Sequence, residues 1–216
     1  MGYFSYKEGL NGHRAAAGVQ GVHPNKAHAA IFYRPDGKKP LHKMHIFDSG
    51  WQNEAISGTA QPYLCAVPES EILQGLYLLQ VRGVCHKICE AVKKKKTTIE
   101  FGLTLPQGCF QKDEDGDIIF KGDGLTCSAL VVAVMDHAGV ATIDLATWPE
   151  LNDTDKEVLK GHLRKEKKEE LWDNYKRVTP TQCVAVMHGA RGRNNPLSHK
   201  VIAEMEKEVI EKLKKV

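Results

Sequence analysis

The stretch from Lys121 to Gly139, KGDGLTCSALVVAVMDHAG, constrains the fold more than any other part of the chain. Every residue from Ala129 to Met135 is apolar, and a helix that is apolar on nearly all sides belongs inside a protein core. Thr126 is a suitable N-cap residue, and Gly139 is suitable for the position after the helix. The pattern therefore predicts a buried helix with Cys127 in its first turn.

The position of Cys127 suggests a chemical role for its thiol. Free backbone N–H groups and the positive end of the helix dipole lie at a helix N-terminus, and we expect them to lower the pKa of a thiol there and make it a better nucleophile. The alternative is that Cys127 is a small buried apolar residue, as most free cysteines are. A nucleophile also needs a base. His137 is ten residues farther along the same helix, about 15 Å away at ~1.5 Å per residue, and is excluded as that base.

Composition limits the class of protein. The 216 residues are 42% hydrophobic, which suits one large domain with its own core. The 30 basic and 27 acidic residues leave a net charge of +3, so no nucleic-acid partner is expected. The chain shows neither a signal peptide nor the ~18 apolar residues of a membrane span, and we expect a cytoplasmic protein. In that compartment the six cysteines are predicted to be reduced thiols: Cys65, Cys85, Cys89, Cys109, Cys127 and Cys183.

Two strand-like segments flank Asp36-Gly37, namely AHAAIFY at 27–33 and LHKMHIF at 41–47, and together they predict a β-hairpin. If Asp36 and Gly37 form a two-residue turn, His28 lies opposite His45 on one face of the sheet, with Cβ atoms about 4.5–5.5 Å apart. The two imidazoles could then form a hydrogen bond.

Other arrangements of the same hairpin remain open. Pro40 cannot donate to a strand ladder, which favours an edge strand or a longer loop. A loop of odd length would exchange the roles of His42 and His45. The two histidines could also be ordinary exposed polar side chains.

The remaining segments are assigned from periodicity. Apolar spacing predicts helices at 68–91, 153–175, 179–187 and 196–216. Strands are predicted at 97–104 and 117–121, joined by the acidic residues 112–116, which we interpret as a turn rather than a calcium loop. Residues 1–26 and 48–67 are predicted to be irregular. The apolar stripe of the last helix could dock on the rest of the chain or on a protein partner.

Cys85 and Cys89 are four residues apart on the 68–91 helix, with His86 beside them. A structural zinc site needs four ligands, and the sequence offers no paired CxxC motifs to complete one. Core packing of the two thiols is favoured over metal binding, although zinc binding is a third hypothesis. No metal and no other cofactor is expected.

A histidine-bearing hairpin, AHAAIFYRPDGKKPLHKMHIF, followed about a hundred residues later by GLTCSALVVAVM resembles the circularly permuted papain-like cysteine enzymes. The resemblance is to the NlpC-like branch that includes relatives of lecithin:retinol acyltransferase, and it covers roughly residues 26–149. In that family a histidine begins a strand written H-x-x-I-[FY], a polar residue lies on the adjoining strand, and the cysteine opens a core helix.

The resemblance implies an α+β fold in which an antiparallel sheet packs on a central cysteine-bearing helix, with extra C-terminal helices. It implies a catalytic domain at 1–190 with its core at 26–149, and a helical extension at 191–216. Cys127 would be the nucleophile, His28 the general base and His45 the orienting residue. His42 or Asp48 could take the place of His45, and the backbone N–H groups of Cys127 and Ser128 would bind the oxyanion.

These roles correspond to a cysteine hydrolase of the amidase or thiol protease type, acting through an acyl-enzyme on an acyl, peptide or amide substrate. An acyltransferase would use the same intermediate with another acceptor. The competing hypothesis is a papain-like scaffold used for binding, of a phage or host-defence kind, because a fold does not by itself establish an activity.

Overall fold

A computed structural model of the chain describes residues 3–5, 13–21, 27–36, 40–47, 49–56, 63–161 and 175–216. Its main sheet has six antiparallel strands in the order β1-β6-β2-β3-β4-β5. These strands are β1 Tyr3–Ser5, β2 Ala15–Gln20, β3 His28–Tyr33, β4 Leu41–Phe47, β5 Gly50–Ile56 and β6 Leu64–Ala66. A second, two-stranded sheet pairs β7 Phe110–Lys112 with β8 Ile118–Phe120.

In the described segments five α-helices accompany the sheets: α1 Glu71–Lys93, α2 Cys127–His137, α3 Asp153–Lys160, α4 Pro180–His188 and α5 His199–Leu213. The mixed α+β class with an antiparallel sheet is thus confirmed. No helix among the residues described above is both long enough and apolar enough to cross a bilayer.

The predicted buried helix is confirmed as α2. All its residues from Ser128 to Asp136 are buried, and it packs against β3 and β4 on one side and against α1 and α4 on the others. Thr126 is the N-cap, and its hydroxyl oxygen accepts a hydrogen bond of 3.1 Å from the Ala129 N–H. The sequence therefore located the start of this helix correctly.

Two segments that were predicted to be irregular contain strands. Residues 1–26 include β1 and the central strand β2, and residues 48–67 include β5 and β6. The prediction was wrong for β2 because its Ala15, Ala16 and Ala17 are fully buried, so the strand shows no apolar–polar alternation. Gly18 is required within it, since a Cβ there would lie 2.5 Å from the Phe32 ring.

The prediction of a strand at 97–104 is also wrong. This segment is irregular, and its backbone groups bond to other parts of the chain: Leu125 N–H donates to the Glu100 carbonyl (2.9 Å), and Trp51 N–H donates to the Ile99 carbonyl (2.9 Å). The strand β8 instead pairs with β7, and the acidic turn joins those two strands. The segment thereby links the edge strand β5 to the loop that leads into α2.

The β3–β4 hairpin is confirmed, but the two-residue turn is wrong. The ladder pairs Tyr33 with His42 and Ile31 with Met44, which shifts the register by two residues from the one that an Asp36-Gly37 turn requires. The connection between the strands is longer, as Pro40 had suggested. Because side chains alternate with a period of two, a shift of two residues keeps His28 and His45 on the same face, as diagonal neighbours.

The C-terminal part of the chain adds to the same core. The short helix predicted at Thr179 is confirmed as α4, with a capping box between Thr179 and Gln182. The predicted final helix is α5, and its Ile202, Val209 and Leu213 belong to the core cluster that also contains the sheet and α2. Of the helix predicted at 153–175, the structure describes α3, and residues 162–174 lie outside the described part.

Candidate functional site

Two histidines meet at one end of the β3–β4 hairpin. The Nε2 atom of His28 and the Nδ1 atom of His45 are 2.9 Å apart, within hydrogen-bond distance. His28 is the first residue of β3 and is partly exposed, whereas His45 is fully buried. The Phe47 ring is stacked on the His28 ring, with centroids 4.3 Å apart and planes at 7°. The structure therefore brings together the two histidines that the sequence paired.

A carboxylate and an ammonium group extend the histidine pair. The Nε2 atom of His45 lies 3.2 Å from Oε1 of Glu54, and the other carboxylate oxygen, Oε2, lies 3.3 Å from Nζ of Lys43. The ladder places Lys43 directly opposite Glu54. The four groups form a hydrogen-bond chain in the order His28, His45, Glu54 and Lys43, in which Glu54 is 49% exposed and the Lys43 side chain is 9% exposed.

Both imidazoles are neutral at neutral pH. Burial lowers the pKa of His28 to about 4, and the nearby His45 and Lys43 act in the same direction. Burial also lowers the pKa of His45, followed by the charge of Lys43, and the hydrogen bond to Glu54 offsets only part of this. Burial acts to raise the pKa of Glu54, but hydrogen bonds and charges from Lys43 and His45 outweigh it, so its pKa is lowered and it is ionised.

Cys127 lies beside the start of β3. The backbone N–H groups of Ala29, the residue next to His28, and of Ser128 are near enough to its sulfur to favour the thiolate. The Ser128 hydroxyl donates to the Val178 carbonyl (2.6 Å), which anchors the first turn of α2. Among the described residues the sulfur has no hydrogen bond to His28. Of β3, it is therefore the backbone of Ala29, and not the His28 ring, that acts on the thiol.

The expected lowering of the Cys127 pKa is wrong. Burial raises it, and this outweighs the nearby N–H groups of Ala29 and Ser128 and the charge of Arg177, each of which favours the thiolate. Desolvation of a thiolate thus exceeds the stabilisation available at the helix N-terminus. A thiol and a neutral imidazole, rather than a thiolate–imidazolium pair, occupy this site at neutral pH.

Tyr63 is buried next to Phe32. Its ring packs edge-to-face on the Phe32 ring, with 4.9 Å between centroids. Burial raises the pKa of Tyr63, and the charges of Cys127, Cys65 and Glu54 act in the same direction.

The alternatives for the third residue lie apart from His28. The Nδ1 atom of His42 is 3.1 Å from the Asn53 amide nitrogen, and its ring packs on Tyr33 (5.6 Å between centroids). These residues belong to the other face of the sheet, where the Tyr33 hydroxyl contacts Cys89 of α1 (3.0 Å). Asp48 lies outside the described residues.

All six cysteines are free thiols in the structure. Five are buried, including Cys85 and Cys89, and Cys127 is partly exposed. Burial raises the pKa of every one of them. Cys127 therefore has the best access to a reagent or substrate.

Among the described residues, one group of carboxylates has ligand atoms close enough together to hold a metal ion. It consists of Asp113, Asp115 and Asp117 of the β7–β8 turn. The Lys96 ammonium lies 2.7–3.3 Å from oxygens of all three. This ammonium offsets part of the negative charge of the cluster and joins the segment after α1 to the turn.

Sequence reasoning missed Glu54, Lys43 and Phe47 as parts of the site. Glu54 lies on β5, which was predicted to be irregular. The signal that could have found it is Asp48-Ser49-Gly50, a turn-like sequence after β4. A hairpin there brings the strand that follows back alongside β4, and β5 does place Glu54 opposite Lys43.

Comparison with known proteins identifies no relative: no family model, no curated protein and no solved structure matches the chain.

Proposed function

We propose that this protein is a cysteine hydrolase of the amidase or peptidase type, with Cys127 as nucleophile, His28 as general base and His45 as orienting residue. One observation carries the proposal: the backbone N–H that favours the thiolate of the partly exposed Cys127 belongs to Ala29, the residue next to a histidine that is hydrogen-bonded to a second one. The order of these parts along the chain is that of the permuted papain-like enzymes, and we propose the papain-like fold on the same grounds.

The reaction starts from the neutral pair. His28 takes the proton of the Cys127 thiol while the sulfur attacks the substrate carbonyl carbon, forming an S–C bond and an oxyanion. The proton then passes from His28 to the leaving amine or alkoxide as its bond to carbon breaks. Water, deprotonated by His28, hydrolyses the thioester, which releases the acid and regenerates the thiol.

The oxyanion would meet the first turn of α2. The backbone N–H groups of Cys127 and Ser128 lie there, and the Ala129 N–H is already bonded to Thr126. Such preorganised N–H donors stabilise a developing negative charge without further reorganisation. The Ser128 hydroxyl, bonded to the Val178 carbonyl, holds this turn in place.

The proposal is tested with p-nitrophenyl acetate as acyl donor. We expect acetylation of Cys127, detected by mass spectrometry, with a burst of p-nitrophenol. Replacing the base with His28→Gln should slow acylation at least about tenfold, since general-base catalysis typically contributes more than that. His42→Gln is the matched control, because His42 lies on the same hairpin but contacts Asn53 instead, and it should leave the rate unchanged. Equal rates in the wild type and His28→Gln would contradict the proposal.

A specific observation favours the second candidate, a papain-like scaffold that binds a partner. The thiol has a raised pKa and no hydrogen bond to His28 among the described residues. Such a protein would be acylated slowly, without dependence on His28. An acyltransferase would instead acylate as a hydrolase does, and added amine or thiol acceptors would speed the loss of the acetyl group from Cys127.

A further inference from the structure

The hydrogen bonds that join His28, His45, Glu54 and Lys43 form a hydrogen-bond chain. Their donor-to-acceptor directions follow from which atoms carry a proton. An ionised carboxylate only accepts hydrogen bonds. Because Oε1 of Glu54 is 3.2 Å from Nε2 of His45, that nitrogen must carry the proton. A neutral imidazole has one N–H, so Nδ1 of His45 is an acceptor.

The same argument applies to the His28 ring. Nδ1 of His45 is 2.9 Å from Nε2 of His28, and since the first atom accepts, the second must donate. The single N–H of neutral His28 is then on Nε2. Its Nδ1 is left with a free lone pair, and this is the atom that can take a proton from a thiol.

Lys43 fixes the orientation of the carboxylate. Its ammonium group, on a side chain that is 9% exposed, lies 3.3 Å from Oε2 of Glu54 and leaves Oε1 for His45. An ammonium group only donates hydrogen bonds. Whatever side chain stands at position 54 must therefore present an acceptor to Lys43.

We propose that Glu54, oriented by Lys43, is a positioning residue that sets the tautomers of both histidines and so leaves Nδ1 of His28 free as the basic atom. The role of that atom in catalysis rests on the proposed function, whereas the tautomers themselves do not. Neither Glu54 nor Lys43 touches the thiol, and they act through His45.

Glu54→Gln should reverse the direction of the hydrogen bonds between position 54, His45 and His28, while the side chain at position 54 nearly keeps its shape. Lys43 will bind the amide oxygen, so the amide N–H₂ group faces Nε2 of His45 and donates to it. His45 must then carry its proton on Nδ1 and donate to Nε2 of His28, which moves the His28 proton to Nδ1. In the double variant Lys43→Met/Glu54→Gln, the amide is free to turn its oxygen toward His45, and the original tautomers should return.

Long-range ¹H–¹⁵N correlation spectra of the full chain measure these tautomers directly, with the rings assigned from His28→Gln and His45→Gln. We expect Nε2–H on both rings in the wild type, Nδ1–H on both in Glu54→Gln, and Nε2–H again in the double variant. Nδ1–H on either ring of the wild type, or unchanged tautomers in Glu54→Gln, would overturn the proposal.

Acylation of Cys127 separates this proposal from the proposed function. If both hold, Glu54→Gln acylates at least about tenfold more slowly than the wild type, and the double variant recovers. If the tautomers invert as expected while acylation does not change, Glu54 is the positioning residue inferred here and His28 is not the base. Failure of the tautomer prediction with a strong effect of His28→Gln on acylation leaves the enzyme proposal standing and removes the role of Glu54.

Discussion

At the scale of single residues, the partners of His28 keep its ring in an uncharged state. The ring is stacked on Phe47, lies edge-on to His45 at 5.1 Å between centroids, and is near the Lys43 charge. Burial of the ring, with His45 and Lys43 acting in the same direction, disfavours an imidazolium. The same ring is therefore able to accept a proton at neutral pH and is a weak base while the site is empty of substrate.

Acid should destabilise the fold through His28. Its pKa is about 4 in the native protein and near its ordinary value of 6.5 in the unfolded chain. Between these values the unfolded chain binds a proton that the native state does not, so the free energy of unfolding falls as pH falls from about 6.5 to 4. Allowing for partial exposure, we expect His28 to account for about 1–3 kcal/mol of that loss.

Urea unfolding at a series of pH values measures the contribution of His28 to the pH dependence of the free energy of unfolding. The stability of His28→Gln should decline less steeply than that of the wild type across the window, and the two curves should be parallel above it. His86→Gln, on the exposed surface of α1, is the control and should follow the wild type. Parallel curves for His28→Gln throughout the window would show that the buried ring is not the cause.

At the scale of the elements, β2 requires a glycine at Gly18, whereas α1 does not require one at Gly83. Gly18 lies where β2 meets the Phe32 ring, and an added Cβ would come within 2.5 Å of that ring. Gly83 lies inside α1, and a Cβ there would have no atom within 4 Å. Glycine is therefore needed in the strand, whereas in the helix it only adds flexibility to the unfolded chain.

Alanine substitutions should separate these two cases. Gly18→Ala should lower the free energy of unfolding by about 1–3 kcal/mol, because the Phe32 ring has to move within a packed interior. Gly83→Ala should raise it by about 0.5–1 kcal/mol, the usual gain at an exposed helix interior. Thermal unfolding of both variants tests the pair, and a neutral Gly18→Ala would mean that the ring shifts at no cost.

At the scale of the whole molecule, α5 is held to α4 by a carboxylate as well as by apolar contacts. Oε1 of Glu206 accepts from the Thr179 hydroxyl (2.8 Å) and from that of Thr181, and its Oε2 accepts from the Gln182 amide (3.0 Å). Since α4 packs in turn on α2, this network connects the last helix to the one that carries Cys127.

Removing this carboxylate should loosen the C-terminal helix. Glu206→Ala removes the acceptor shared by the N-cap Thr179 and by Thr181 and Gln182 of α4. This should cost about 1–3 kcal/mol, and we expect faster hydrogen exchange of the α5 amides. Glu204→Ala removes an exposed carboxylate of the same helix and should be within ~0.5 kcal/mol of the wild type. Equal protection of α5 in the two variants would show that apolar contacts alone hold it.

Prediction from sequence succeeded where the signal is local. The apolar run and Thr126 located α2, and period-two alternation placed His28 and His45 on one face. It failed for β2, whose buried alanines show no alternation. It also failed for segment 97–104, whose backbone groups bond to the distant residues Trp51, Gly124 and Leu125. Glu54 was missed because β5 was not recognised as a strand.

The sequence by itself determined which face of the hairpin His28 and His45 occupy and where the helix that begins at Cys127 starts, because helix and strand periods and caps are properties of neighbouring residues. Only the tertiary structure decided the register of the hairpin, since that depends on how long the connection is, and only the register brought Glu54 opposite Lys43. The protonation of the site was also decided there: at Cys127, desolvation by the surrounding core outweighs the local effect of the helix N-terminus.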